Sequence, residues 1–198
     1  MKRIFLCLLV FLSACAGPRR NSEISNIYDL GPLAGETRVI SSDPGLLLEV
    51  RIASWFDGLN VQYRLLYDDP TRLRDYAQAR WAAAPVSLVQ HRLRQRLGVP
   101  VAQSGVKAPC TLSIYIDEFS QNFVSPVDSR ASIRGEARLL GKGRQLLAVQ
   151  AVRIEKTAAT PDARGGIAAL AAATDGLAMD LAEWLKKNAN ESAGCRGG

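Results

Sequence analysis

Residues 111–155 read TLSIYIDEFSQNFVSPVDSRASIRGEARLLGKGRQLLAVQAVRIE. Apolar and polar residues alternate from Leu112 to Ile116, which predicts a strand with one buried face, and the alternation slips before Phe119. Two more strand-like segments, 133–140 and 145–155, are separated by GKGR at 141–144, which is typical of a hairpin turn. Three consecutive antiparallel strands are therefore predicted.

A long amphipathic helix is predicted to follow at 162–188. Its apolar side recurs at spacings of three and four: Ile167, Leu170, Thr174, Leu177, Leu181 and Leu185. The many alanines favour the same structure. At about 1.5 Å per residue this helix spans roughly 40 Å, so we expect it to lie along the sheet.

A first helix is predicted to open at Pro85, because proline is tolerated in the first turn, and to end at Gly98. Its apolar stripe is Val86, Val89, Leu93 and Leu97. That spacing predicts that Arg92, Arg94 and Arg96 lie largely away from the core.

Further strands are predicted at 27–30, 46–52 and 58–67, the last followed by a turn at Asp68-Asp69-Pro70. No strand is predicted between that turn and Pro85. The predicted fold is α+β: one domain with a mixed or largely antiparallel sheet and two principal helices packed on one face.

The amino terminus has the pattern of an export signal, with Lys2 and Arg3 before an apolar run at 4–12. That run is too short to span a bilayer. It is followed by Leu12-Ser13-Ala14-Cys15, which resembles the lipobox of bacterial lipoproteins and implies cleavage between Ala14 and Cys15 with lipid on Cys15. The alternative is an ordinary secretory signal in which Cys15 is incidental. Ala16, where retained lipoproteins carry aspartate, favours the outer membrane.

The predicted division is therefore a signal peptide at 1–14, a lipidated cysteine with a flexible tether at 15–25 and a domain at 26–198. Cleavage removes Lys2 and Arg3 and lowers the formal charge from +6 to +4, which is weak evidence for any partner. Export excludes nucleic acid. Cys110 and Cys195 are the remaining cysteines and are predicted to form a disulfide, with two free thiols as the alternative.

Motifs for catalysis, metal binding or cofactor binding are missing from the sequence, so no catalytic, metal or cofactor residue is predicted. His91 is the single histidine and lies among arginines on the polar flank of the first helix. No Gly-x-Ser-x-Gly motif occurs, and Lys142 is followed by glycine rather than by the serine or threonine of a phosphate-binding loop. The pairs Asp68-Asp69 and Asp117-Glu118 are interpreted as turn and strand residues.

Positive charge concentrates around the first helix, at Arg72, Arg74, Arg80, Arg92, Arg94 and Arg96. One hypothesis is that Arg92, Arg94 and Arg96 contact lipid headgroups or an acidic partner. The other is a solvated face that contacts nothing. Tyr76 and Trp81 are predicted to be core residues.

Several segments taken in order resemble one family. Tyr28-Asp29-Leu30-Gly31 is followed by Tyr67-Asp68-Asp69-Pro70 with Leu73, Tyr76 and Trp81, and then by a helix opening at Pro85. Residues 112–119, Ser129-Arg130-Ala131 and the alanine-rich final helix continue the likeness over nearly the whole mature chain. This order is similar to that of the ABC-type transport auxiliary lipoproteins.

The resemblance implies a non-catalytic lipoprotein on the periplasmic face of the outer membrane. It would dock a periplasmic MCE-domain protein and its ABC permease and ATPase, which move lipids or other hydrophobic molecules between membranes. The resemblance leaves open whether the protein forms a homo-oligomer. The alternatives are a lipid-binding or outer-membrane assembly lipoprotein, which requires an apolar cavity, and an envelope hydrolase, which the missing nucleophile and base oppose.

Overall fold

The computed structural model describes residues 25–33, 46–100 and 108–188, in which seven strands form one mixed sheet. The strands are β1 (Asn26–Tyr28), β2 (Leu46–Ile52), β3 (Asn60–Leu65), β4 (Asp69–Trp81), β5 (Cys110–Phe123), β6 (Ser129–Leu140) and β7 (Leu146–Thr157). The helices are α1 (Pro85–Leu97) and α2 (Ala163–Lys187). The predicted α+β fold with one sheet and two principal helices is confirmed.

Strand β5 is the centre of the sheet. One of its edges pairs antiparallel with β6 along its whole length, and β7 pairs antiparallel with β6 beyond it. The other edge pairs in parallel with β2 over the first half of β5 and with β3 at its end. From β3 the sheet continues through β4 to the short β1. The connection between β2 and β3 therefore leaves the sheet and returns to the same edge of β5.

The three antiparallel strands predicted at 111–155 are confirmed as β5, β6 and β7. Their slip in alternation is a β-bulge between Ile116 and Glu118, which leaves Asp117 exposed. Across the bulge, Gly135 pairs with Ile116 at a φ of 155°. The turn between β6 and β7 uses positive φ at Gly143 and Arg144, as a tight hairpin requires.

Both helices begin and end close to the predicted residues. The Asp162 carboxylate caps α2 by accepting a hydrogen bond from the Gly165 amide at 2.7 Å, which satisfies a donor of the first turn. Helix α1 starts at Pro85, and the Val86 amide of its first turn donates a hydrogen bond to the Asp57 carboxylate. The helix is capped at its end by Gly98, which has a φ of 69°. Helix α2 packs on β5, β6 and β7, while α1 packs on β2 and on α2.

Strand β4 was not predicted. Of its 13 residues only Ala79 and Trp81, at the end, are fully buried, so its sequence lacks the sustained alternation of a strand with one buried face. Hydrogen bonding to β3 and β1 makes it a strand all the same. Trp81 lies in the core, where its ring contacts Phe119, and Tyr76 packs against the core from a half-buried position.

Candidate functional surfaces

The arginines of α1 do not form one exposed patch. Arg94 is exposed as predicted, but Arg92 and Arg96 retain only 4% and 8% exposure, so the expectation that they lie away from the core was wrong. The reason is that α1 packs on two neighbours, β2 and α2, which buries a wider arc than its apolar stripe. A contact between Arg94 and lipid headgroups or an acidic partner stays a hypothesis, as does a solvated face.

Asp175 of α2 is the partner of both buried arginines. Its Oδ1 accepts from Arg92 Nε at 2.7 Å and from Arg96 Nε at 2.9 Å, while its Oδ2 accepts from their Nη2 atoms at 3.0 and 2.8 Å. Arg92 also donates to the Gly31 carbonyl at 2.9 Å. Two bidentate pairs on one carboxylate therefore tie α1, α2 and the chain after β1 together.

Burial alone would raise the pKa of Asp175. The hydrogen bonds and positive charges of Arg96 and Arg92 outweigh it, so the net effect lowers the pKa of this carboxyl below its ordinary value. The hydrogen bonds with Asp175 likewise raise the pKa of Arg96. The cluster thus holds its charges at neutral pH and acts as a structural clamp between the helices.

A second buried charge cluster, not predicted from the sequence, surrounds Glu118. This side chain lies 3.3 Å from Arg64 Nε and 3.6 Å from Arg134 Nη2, and it accepts a hydrogen bond from Ser120. The Arg64 guanidinium also lies over the Phe56 ring, 5.8 Å from its centroid. Because two arginines neutralise Glu118, this cluster holds β3, β5 and β6 together. The only feature of the sequence that marked this region was the slip in alternation before Phe119.

Within residues 25–33, 46–100 and 108–188, no group of three or more His, Cys, Asp or Glu side chains is placed to hold a metal ion. His91 is exposed on α1, as predicted. In the same part of the chain, neither helix is long and apolar enough to cross a membrane.

Two clefts in the described part of the chain have charged side chains in their linings. One of about 230 Å³ is lined by Arg51, Ser113, Tyr115, Glu136 and Arg138. A larger one of about 420 Å³ lies between β1, β4 and the start of α2, and Asp162, Arg164 and Tyr76 line it. Burial raises the pKa of Tyr76, whose hydroxyl donates to Gln121 at 2.8 Å. The lipid-binding alternative therefore stays a hypothesis.

Several sequence predictions lie wholly or partly outside the described residues, among them the signal peptide at 1–14 and the tether at 15–25, of which only residue 25 is described. Ala14 and Cys15, the predicted cleavage and lipidation residues, are not among the described residues, and neither is Cys195. Cys110 opens β5 and is buried at 1% exposure.

The disulfide between Cys110 and Cys195 therefore stays a prediction. Closing so long a loop is worth on the order of 4 kcal/mol less any strain. We expect non-reducing peptide mapping of the native protein to recover the two cysteine peptides linked, and Cys195→Ser to lower the melting temperature. Recovery of both peptides unlinked and alkylated would contradict the prediction.

Four exposed apolar side chains lie where two hairpin turns meet, the turn between β3 and β4 and the turn between β5 and β6. We name this group the hairpin-tip surface: Leu66, Tyr67, Val124 and Val127, which are 39%, 48%, 40% and 73% exposed. The turns are neighbours because the Leu66 amide donates to the Phe123 carbonyl at 2.8 Å. Three acidic residues belong to the same turns or follow them directly: Asp68, Asp69 and Asp128. Asp68 is paired with Arg74 at 2.6 Å, so Asp69 and Asp128 form the acidic rim of this apolar surface.

A second exposed apolar surface lies at the other end of β4. We name it the β1-end surface: Ile27, Trp55 and Leu59, which are 73%, 58% and 45% exposed. Strand β1 and the β2–β3 connection flank the end of β4, since Ala82 donates to the Tyr28 carbonyl and Trp81 to the Leu59 carbonyl. The 13 residues of β4 separate the two surfaces by up to about 40 Å.

Comparisons with known proteins agree with this fold. Protein XCC0632 from Xanthomonas campestris, of the DUF330 family, has a similar structure, with a TM-score of 0.69 and 18% identity over 85% of this chain and 99% of that one. An uncharacterized protein of known structure gives a TM-score of 0.63 and 18% identity, over 82% of this chain and 99% of that one. No curated protein sequence matches.

At the sequence level, residues 28–182 match the family model described as "ABC-type transport auxiliary lipoprotein component". This match runs from Tyr28, the last residue of β1, through most of α2. It includes both charge clusters, the hairpin-tip surface, and Trp55 and Leu59 of the β1-end surface, while Ile27 lies just before it. The chain therefore belongs to the family of ABC-type transport auxiliary lipoproteins.

Proposed function

We propose that this lipoprotein is anchored through Cys15 in the outer membrane and docks the periplasmic MCE-domain protein of an ABC-type system that moves lipids or other hydrophobic molecules. The match of residues 28–182 to the auxiliary lipoprotein family carries the proposal. The lipobox at 12–15 supports the anchor, and Ala16 supports export to the outer membrane. Several acyl chains on one cysteine would make the anchor stable.

The hairpin-tip surface is the part of the domain that we assign to the docked protein. It lies at the far end of β4 from β1, and β1 is the strand that begins eleven residues after Cys15. Apolar side chains of this kind are typical of interface centres. The rim of Asp69 and Asp128 favours a partner with basic residues around an apolar patch, and it disfavours an anionic leaflet.

Affinity purification from detergent-solubilised envelopes tests the function. The tagged full-length chain should recover an MCE-domain protein, and mass spectrometry should find the Cys15 peptide triacylated at its amino terminus. A triacylated Cys15 without an MCE-domain protein would contradict docking. An unmodified cysteine, or one still preceded by Ala14, would contradict the anchor.

Charge in the hairpin-tip surface should break the contact with the docked protein. We expect the double variant Tyr67→Asp and Val127→Asp to lower recovery of the MCE-domain protein at least about tenfold, which corresponds to about 1.4 kcal/mol, because two apolar contacts are replaced by charges that burial would desolvate. The readout is the ratio of MCE-domain protein to lipoprotein in the purified sample.

Met179→Asp is the matched control, since Met179 is 54% exposed on α2 and lies outside the hairpin-tip surface. It should leave recovery unchanged. Equal recovery with the double variant and with native protein would show that docking uses another surface.

A further inference from the structure

We infer that the β1-end surface is a membrane-contact site: Ile27, Trp55 and Leu59 rest in the headgroup region of the same bilayer that holds the lipid of Cys15. This inference depends on the lipid anchor of the proposed function. It adds an orientation of the domain: β4 runs away from the membrane surface, and the hairpin-tip surface lies at the end farther from the bilayer.

The chemistry of the β1-end surface fits a lipid interface. Trp55 is the large exposed aromatic of the set, and its ring lies beside that of buried Phe56 with centroids 6.3 Å apart. Tryptophan is enriched at membrane interfaces because its ring is apolar and its N–H is polar. Ile27 and Leu59 add aliphatic area. Three side chains are few for a stable protein interface but sufficient for shallow contact with a bilayer that a lipid already holds nearby.

The covalent path to the anchor ends inside this surface. Ten residues, 16–25, link Cys15 to β1, and a chain of ten residues spans at most about 36 Å. Ile27 is the second residue of β1, so the surface begins where the link enters the domain. The hairpin-tip surface lies up to about 40 Å further along β4. The β1-end surface is therefore closer to Cys15 along the chain and along the sheet than the hairpin-tip surface is.

Charge around the β1-end surface is compatible with anionic headgroups. Exposed Arg80 pairs in register with Ile27 on one side and with Asn60 on the other, which places it within the surface. Three nearby acids accept hydrogen bonds from the protein: Asp57 from the Val86 amide at 3.1 Å, Asp29 from the Gly31 amide at 2.7 Å and Asp75 from the Asn60 side chain at 2.8 Å. Basic residues close to a bilayer attract its anionic lipids.

The tryptophans provide a direct test. Trp81 and Trp184 are 3% and 8% exposed, so Trp55 is the accessible fluorophore among the three. The full lipidated protein is reconstituted into vesicles of phosphatidylethanolamine and phosphatidylglycerol, with and without brominated acyl chains. We expect brominated lipid to quench at least about half of the Trp55 emission, obtained by subtracting the Trp55→Phe spectrum, since the ring lies at the interface.

A matched probe reports on the opposite end. The variant Trp55→Phe, Tyr67→Trp places the exposed tryptophan in the hairpin-tip surface, and its added emission should be quenched by aqueous acrylamide and not by brominated lipid. If Trp55 is not quenched in vesicles that the protein floats with, the membrane contact is wrong and the anchor stands. Equal quenching at both ends would also overturn the inference. A protein that fails to float would overturn both anchor and contact.

Discussion

Replacing Asp175 by asparagine should lower the free energy of unfolding by about 3 kcal/mol, because it leaves two buried guanidinium groups without their counter-charge. Arg92 and Arg96 each make a bidentate pair with this carboxylate, and both are buried. The asparagine side chain keeps the volume but loses the charge. Urea denaturation followed by circular dichroism measures the effect.

Asp180→Asn is the control, because Asp180 lies on the same helix and is exposed. A change at an exposed site of this kind should stay within about 0.5 kcal/mol. If the two variants lose equal stability, the Asp175 cluster is not the clamp between α1 and α2 that its geometry indicates.

The deficit of Asp175→Asn should depend on pH. The folded-state pKa of Asp175 lies below its ordinary value, so its charge stabilises the protein above the unfolded-state pKa, and this contribution is lost as the pH falls through the folded-state pKa. The difference between native protein and variant should therefore be constant near neutrality and shrink below about pH 4. A difference that stays constant into the acid range would show that the charge of Asp175 is not responsible.

Gly135→Ala should have the second large effect, a loss of more than about 3 kcal/mol or failure to accumulate as soluble protein. A Cβ at this position would lie 2.0 Å from the Tyr115 carbonyl oxygen and 2.9 Å from the Ile116 Cα, both backbone atoms of β5. The φ of 155° adds strain for any residue with a side chain. The pairing of β5 with β6 would have to separate at the bulge.

Gly58→Ala is the matched control for this change. A Cβ there meets nothing within 4 Å, so stability should remain within about 0.5 kcal/mol of the native value. Urea denaturation of both variants, together with their soluble yield, gives the comparison. A stable Gly135→Ala protein with an unchanged unfolding midpoint would contradict the close approach at the bulge.

The elements with strong periodicity could be predicted because their pattern reports directly on burial. Helix α2 was predicted from its apolar spacing, and α1 from Pro85, its stripe and Gly98. The bulge was visible as a slip between Ile116 and Phe119. Strand β4 could not be predicted, because it is buried only at one end and leaves little alternation to detect.

Arg92 and Arg96 show where pattern reasoning stops. Arginine at the edge of an apolar stripe predicts solvent exposure, since a charged side chain alone is costly to bury. Asp175 removes that cost, but it lies 79 residues after Arg96 in the sequence, and nothing local to α1 signals the pair. The same holds for Glu118, whose partner Arg64 is 54 residues away.

The α+β class, both helices, the β5–β7 meander and the resemblance to auxiliary lipoproteins follow from the amino-acid sequence, because each depends on local spacing or on the order of segments along the chain. Which charges are buried, and where exposed apolar residues gather, depends on how distant segments pack together. Leu66 and Val127, or Ile27 and Trp55, belong to one surface only after strand pairing brings distant turns together. A surface is a property of the sheet, whose register depends on non-local hydrogen bonds.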